Sequence, residues 1–203
     1  MQDSYELSVL KRKQLYDLTF KNENNEKGLI YKLTSVLFVH GWNIIQATAK
    51  TNFDGIVEDS FLIEPIDQTS FTDETLQNIN KDLTQLLKGD VSVLEYLTQY
   101  PQVSKKLESF HNIRNVAKID ISQTNDPSLT ILTIQSSDRP GLLFEISQVL
   151  YLLNFDIESF KASYNEDGIF DTLYLRKENG TNPISNNEKK QLENLLMELF
   201  TCS

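Results

Sequence analysis

One cysteine, two histidines and seven glycines among 203 residues leave little material for several kinds of chemistry. Cys202 has no partner for an intramolecular disulfide, and a cysteine-built metal site is excluded. Phosphate-binding loops bring backbone N–H groups against the anion through closely spaced glycines, yet the nearest pair here, Gly168 and Gly180, lies 12 positions apart. Metal hydrolases draw on several imidazoles, whereas His40 and His111 form neither an HExxH motif nor a His-Asp pair. His40 instead falls at the end of a predicted helix, where it meets the helix dipole. No run approaches the ~18 apolar residues of a membrane-spanning helix, and Met1 to Arg12 lack the apolar core of a signal peptide. Basic residues are also scarce, 19 against 29 acidic ones, and the resulting net charge of −10 repels phosphate backbones and anionic lipid. Neither nucleic acid nor membrane is expected as a partner, and a cytoplasmic location is expected. Carboxylates are plentiful, but the sequence singles out no acid/base pair, so no catalytic residue, metal or cofactor is expected.

What is present is a duplication. Sliding the sequence on itself by 113 positions places Gly28 on Gly141, Leu29 on Leu142, Val36 on Val149, Ile44 on Ile157, Ala49 on Ala162, Gly55 on Gly168 and Leu62 on Leu175. The match needs no gap from about Tyr16 to Glu64. Each copy has the same order of periodicities. Short β-rich runs at Tyr16–Phe20 and Leu129–Ile134 end in polar loops. Helical stripes follow, Leu29-Leu33-Val36-Leu37 in one copy and Leu142-Ile146-Val149-Leu150-Leu153 in the other, the second opened by Pro140. Strands are then predicted over 43–53 and 156–166, turning at Asp54-Gly55 and Asp167-Gly168 into 56–63 and 169–176. Amphipathic helices over 73–88 and 186–200 complete the unit. Weaker alternating segments at 5–10 and 116–121 stand ahead of the copies and supply the missing edge strand of each sheet. The predicted architecture is α+β: two ferredoxin-like βαββαβ domains with antiparallel sheets and helices on one face, at 1–88 and 114–203, joined by a partly helical linker over 89–113. Apolar groups on both parities of 56–63 and 169–176 predict that the second sheet face is not left to water. Trp42 and Phe155, at equivalent helix ends, are read as core or interface anchors.

The run Ser137-Asp138-Arg139-Pro140-Gly141-Leu142-Leu143 at a strand-to-helix junction, followed by Asn154-Phe155-Asp156-Ile157 and Asp167-Gly168-Ile169, resembles the ACT family of small regulatory modules in tandem. Within that family the likeness is to the C-terminal ACT pair of the bifunctional uridylyltransferase/uridylyl-removing enzymes of bacterial nitrogen regulation, and it covers about Leu15 to Phe200. The resemblance implies a non-catalytic regulatory protein that binds a small amino acid or similar metabolite and signals to a partner, as a homo-oligomer or through a regulated enzyme. This sequence contains no nucleotidyltransferase or His-Asp phosphohydrolase segment, so the likeness carries regulation and not chemistry. A duplicated fold kept only as an adaptor or dimerisation module is the alternative.

The chemistry of such a site follows from its ligand. An α-amino acid presents a carboxylate beside an ammonium, so its site needs N–H donors beside acceptors. A helix opening at Gly141 offers free backbone N–H groups and a favourable dipole. Asp138 either caps that helix or faces the ammonium, and Asp156 emerges at the same end of the fold. The residues expected at the ligand are Ser137, Asp138, Arg139, Pro140, Gly141, Leu142, Asn154, Asp156 and Ile157 in the second copy, with Asn25, Gly28, Leu29, Asn43 and Ile44 in the first. The same run is also good helix-start chemistry, and Arg139 reads equally as a solvated loop residue. In the first copy Asn25 and Lys27 replace the Asp and Pro of the motif, which leaves open whether that loop binds.

Overall fold

A computed structural model describes residues 5–23, 26–51, 55–67, 69–111, 117–165, 168–177 and 183–201. The first repeat contains β1 (Tyr5–Arg12), β2 (Leu15–Asn22), α1 (Leu29–Val39), β3 (Trp42–Thr51), β4 (Val57–Pro65) and α2 (Asp73–Lys88). After α3 (Val93–Thr98) and α4 (Gln102–His111), the second contains β5 (Lys118–Gln123), β6 (Leu129–Ser136), α5 (Leu142–Leu152), β7 (Phe155–Asn165), β8 (Gly168–Lys177) and α6 (Asn186–Glu198). The edge strand of each repeat enters from its N-terminal side, as the alternation at 5–10 and 116–121 suggested. Local chemistry sets the outer helices. Capping boxes at Thr72/Thr75 and Ser185/Glu188 start α2 and α6, and Gly89 in the left-handed region stops α2.

The two repeats share one antiparallel sheet of eight strands, ordered β1-β2-β4-β3-β7-β8-β6-β5, with the helices on one face. The fold is thus a side-by-side pair of ferredoxin-like repeats. The join is β3 against β7, where Ala47 pairs with Ala162, Thr48 with Lys161 and Ala49 with Phe160. Thr48 and Lys161 occupy equivalent positions, so a pseudo-two-fold axis passes between them. On the helical layer the axis passes between Thr34 and Ser147, whose hydroxyls lie 3.0 Å apart, and beside the stacked rings of Tyr31 and Phe144. Packing α1 against α5 explains why these helices bury more than one stripe: Tyr31, Thr34 and Phe38 are inside along with Leu33 and Leu37. Trp42 and Phe155 are buried as expected.

Two expectations are corrected. The gapless match fails at both ends of the unit. Tyr16 pairs with Ile63, and Thr130 with Leu175, so Tyr16 corresponds to Thr130 and Ile63 to Leu175; Leu62 does not fall on Leu175. The loop after β2 is one residue longer in the first repeat, and so is the β3–β4 connection, so β2 and β4 are each displaced by one residue, in opposite directions, from the 113-residue offset that aligns α1 with α5 and β3 with β7. A one-residue slip in a strand exchanges its faces. The second sheet face is covered by no described element of this chain. Its outward positions on β4 and β8 are Glu58, Ser60 and Leu62, and Phe170, Thr172 and Tyr174, so polar groups interrupt the apolar ones and the face tolerates water.

Candidate functional site

Each first helix of a repeat begins at a glycine with positive φ, Gly28 (75°) and Gly141 (82°), and neither helix has a side-chain cap. Asp138 therefore does not cap α5; its Oδ1 accepts the Arg139 backbone N–H at 2.8 Å. The open helix ends lie at the seam between the repeats, and each faces the other repeat's strand start.

At the first junction the Gly28 backbone N–H donates to Asp156 Oδ1 (3.2 Å), and Lys27 Nζ donates to Asn154 Oδ1 (3.0 Å). Lys27 also stands 5.4 Å from the centre of the Tyr151 ring. Asn154 holds a positive φ of 62°, which presents its side chain to the neighbouring loop. Burial raises the pKa of the Asp156 carboxyl, while the N–H groups of Gly28 and Ile157 and the charge of Lys27 pull it down. Behind this contact is a narrow crevice of about 10 Å³, lined by Leu29, Ile30, Ala49, Asp59, Asp156 and Glu158 among others. A bulge in β7 between Ile157 and Ser159 sets Glu158 at its rim, and β3 has the equivalent bulge between Ile44 and Gln46. Asp59 is completely buried and neither of its oxygens makes a hydrogen bond of good geometry. Burial pushes it up to about 7, against a smaller opposing pull from the Lys50 backbone N–H.

At the second junction the Ser137–Leu142 loop faces the start of β3 in the first repeat. Asn43 is buried and donates from Nδ2 to Glu64 Oε1 (3.1 Å). Burial, reinforced by the charge of Glu64, raises Asp138 to about 6. Arg139 is no solvated loop residue. Only 4% exposed, it turns into the fold, donates to the Leu199 carbonyl (3.1 Å) and pairs with Glu145, which His111 also meets at 2.7 Å. The α5 end is roofed. A Cβ on Gly141 would stand 2.7 Å from the Phe38 ring and 2.8 Å from Leu107 of α4.

The expected site residues are thus divided differently from their order in the sequence. Gly28 and Leu29 join Asp156 and Ile157, with Asn154 at the rim; Ser137, Asp138, Pro140, Gly141 and Leu142 face Asn43 and Ile44. Asp156 does not share a junction with the Gly141 loop. Asn25 lies outside the described residues. Sequence reading missed Asp59, Glu145 and the clamp on α3, in which His40 (2.9 Å), Tyr96 (2.9 Å) and Tyr100 (3.1 Å) converge on Asp82 Oδ2. Asp59 carried a signal, since it has the same strand parity as the inward Val57, Phe61 and Ile63.

Two ferredoxin-like repeats fused across one sheet, with each first helix opening against the other repeat at the seam, are the class that fold and site define. No family model matches the chain. The chain is similar to the bifunctional uridylyltransferase/uridylyl-removing enzyme of Ruegeria pomeroyi, at 26% identity over 176 residues, 86% of this chain and 19% of that enzyme. The same enzyme from Cereibacter sphaeroides is 23% identical over 84% of this chain and 18% of its own length, and that from Novosphingobium aromaticivorans is 24% identical over 84% and 18%. The chain therefore resembles this enzyme over most of its own length while spanning less than a fifth of the enzyme's. A crystal structure of aspartate kinase from Synechocystis superposes with a TM-score of 0.46 at 14% identity, covering 93% of this chain and 27% of that one.

Proposed function

We propose that the chain is a regulatory module that binds a small α-amino acid or similar metabolite where its two repeats meet and passes the bound state to a partner. The observation carrying this reading is the first junction, where a helix-opening N–H and a carboxylate from the other repeat meet over a crevice. Donors at the α1 terminus suit a ligand carboxylate, and Asp156 suits an ammonium. Because each junction takes half its residues from each repeat, a ligand bound there changes how the repeats press on each other, which is a route for signalling. Similarity to an enzyme of uridylyl transfer and removal supports a regulatory rather than a catalytic role only through the small part of that enzyme the chain matches. Among the described residues there is no group of three or more metal-holding side chains, and no helix is long and apolar enough to cross a membrane.

A thermal-shift screen over the twenty L-amino acids tests the reading. A saturable rise in Tm with one or a few of them is expected, and it should fall when Asp156 is replaced by Ala. A flat response to all twenty would favour the adaptor reading. That second reading has its own support: Gly28 already bonds Asp156, the Tyr151 ring stands against Gly28, and the Gly141 end is roofed by Phe38 and Leu107.

A further inference from the structure

The sheet ends in two edge strands, β1 and β5, and the two edges are finished differently. In an antiparallel pair every second residue directs its N–H and C=O away from its neighbour. On β5 these residues include Ile119 and Ile121, because the Thr124 N–H bonds the Leu129 carbonyl and so sets the even-numbered residues in bonded pairs with β6. The Ile121 carbonyl is taken: the ammonium of Lys189 on α6 donates to it. A lysine held at a sheet edge blocks the addition of another strand. On β1 the two-residue turn Lys13-Gln14 closes on Arg12 and Leu15, so the outward groups are those of Leu7, Val9 and Lys11. Val9 is the equivalent of Ile121, since they pair with the equivalent residues Leu18 and Leu132. The helix position equivalent to Lys189, four residues after the N-cap in both repeats, is Leu76, which cannot donate. Beside this unblocked backbone Leu10 is 73% exposed, the most exposed large apolar side chain among the described residues.

From this asymmetry we propose that β1 is the docking edge for a second copy of the chain, the two β1 strands pairing antiparallel about a two-fold axis normal to the sheet, so that two eight-stranded sheets become one. The charge pattern of the strand is what points to a second copy. Such an axis keeps the helices of both copies on one face, and only residues of like parity then oppose each other. In the register centred on Val9, Glu6 of each copy stands opposite Arg12 of the other, in a non-hydrogen-bonded pair where side chains come closest. The alternative register centred on Ser8 sets Glu6 against Leu10 and loses both ion pairs. Each charge is available for the contact. Glu6 makes no ion pair among the described residues, its strand neighbour Lys21 being drawn to Glu58 at 3.6 Å, and Arg12 reaches only the exposed Asp17, at 3.8 Å. In a chain of net charge −10 the hairpin tip Lys11-Arg12-Lys13 is locally basic, so two copies meeting antiparallel bring each basic tip to the other's Glu6 end. The inference stands apart from the metabolite reading, because the junctions lie at the β3–β7 seam and β1 at the far side of its repeat.

The test is sedimentation equilibrium of the full chain across a concentration series, for wild type, Glu6→Arg, Arg12→Glu, the two reversals together, and Leu76→Lys, with Tm measured for each. Wild type should show a reversible monomer–dimer equilibrium. Each single reversal turns two attractive cross-strand pairs into repulsive ones and should weaken it by about 10-fold, and the double variant should restore it. Leu76→Lys places on the first edge the lysine that blocks the second, and should weaken it as well. Amide exchange followed by NMR locates the contact: the Leu7, Val9 and Lys11 N–H groups should slow as concentration rises, while those of Ile119 and Ile121 keep their rates. A wild type that stays monomeric at every concentration, a dimer indifferent to the reversals, or a double variant no tighter than the singles would overturn the proposal. So would a dimer that protects the β5 amides instead. Should a variant fail to fold, the concentration dependence of β1 exchange in wild type still decides.

Discussion

Replacing Asp59 by Asn should make the protein less sensitive to rising pH, by an amount that follows from its burial. An Asp ordinarily titrates near 3.8, and in this fold desolvation lifts Asp59 to about 7. A carboxyl whose pKa is raised by folding favours the folded state while it is protonated. Its contribution is complete below pH ~4, where the unfolded chain is protonated too, and is lost as pH rises through about 7. At about 1.4 kcal/mol per pH unit, moving from 3.8 to about 7 corresponds to about 4 kcal/mol, of which about 3 kcal/mol is lost between pH 5 and pH 8. Asn fills the same volume and cannot ionise, so this part of the pH dependence should vanish. The assay is urea unfolding followed by the fluorescence of Trp42, the single tryptophan, at half-unit steps from pH 5 to 8.5. Every other titrating group contributes equally to both proteins, so the difference between their curves isolates Asp59. Two curves that stay parallel within about 0.5 kcal/mol would refute the assignment of a neutral, desolvated carboxyl.

Asp171→Asn should behave in the same direction, since burial also lifts Asp171 to about 7, and stability curves of the two single variants and the double variant would show whether the sites are independent. Asp82→Ala should destabilise by about 3 kcal/mol, because it strands the buried Tyr96 hydroxyl together with His40 and Tyr100, whereas Tyr96→Phe should cost about 1 kcal/mol; chemical unfolding separates the two. Arg139→Ala leaves the buried Glu145 without its guanidinium and should cost about 3–5 kcal/mol in the same assay, a loss under 1 kcal/mol being the result that contradicts the pairing.

Legibility divided along the line between local and long-range physics. Helix α2 was readable to the residue, because Thr72, Asp73, Lys88 and Gly89 announce its ends independently of the fold. The edge strands β1 and β5 were visible as alternation, and the duplication placed the two repeats. The partition of the site was not readable. Asp156 lies 15 residues after Gly141 and 128 after Gly28, yet it bonds the distant glycine, because the β3–β7 pairing brings each repeat's strand start to the other's helix opening. No spacing within one copy carries that information. The failure at Arg139 has the same origin: its partners Glu145, Leu199 and, through Glu145, His111 belong to three helices whose meeting is a tertiary event. The gapless repeat match misled for a different reason, since two opposite single-residue offsets preserved the helix register while reversing the apparent face of β2 and β4.

The linker is where the duplication stops being symmetrical, and this bears on which junction can work. Phe38 and Tyr151 are equivalent residues, and each packs its ring against the glycine of the opposite repeat, Gly141 and Gly28 respectively. Phe38 is 2% exposed and Tyr151 is 37% exposed. The pseudo-two-fold axis would make these values equal, so something outside the repeated unit covers one ring and not its mate. That element is α4, whose Leu107 reaches the Gly141 backbone and whose His111 meets Glu145. The clamp of His40, Tyr96 and Tyr100 on Asp82 fixes α3 just upstream, and the chain turns at Pro101 into α4. Sequence motifs pointed to the second junction, through its intact Asp138-Arg139-Pro140-Gly141. Packing points to the first, where Tyr151 is a partly solvated ring beside Lys27 and the crevice behind Gly28 opens on an unsatisfied carboxylate. A motif that starts a helix well serves structure and binding equally. Only the distribution of covering side chains separates the two uses, and here it leaves the ring over the junction with the poorer motif the less covered of the two.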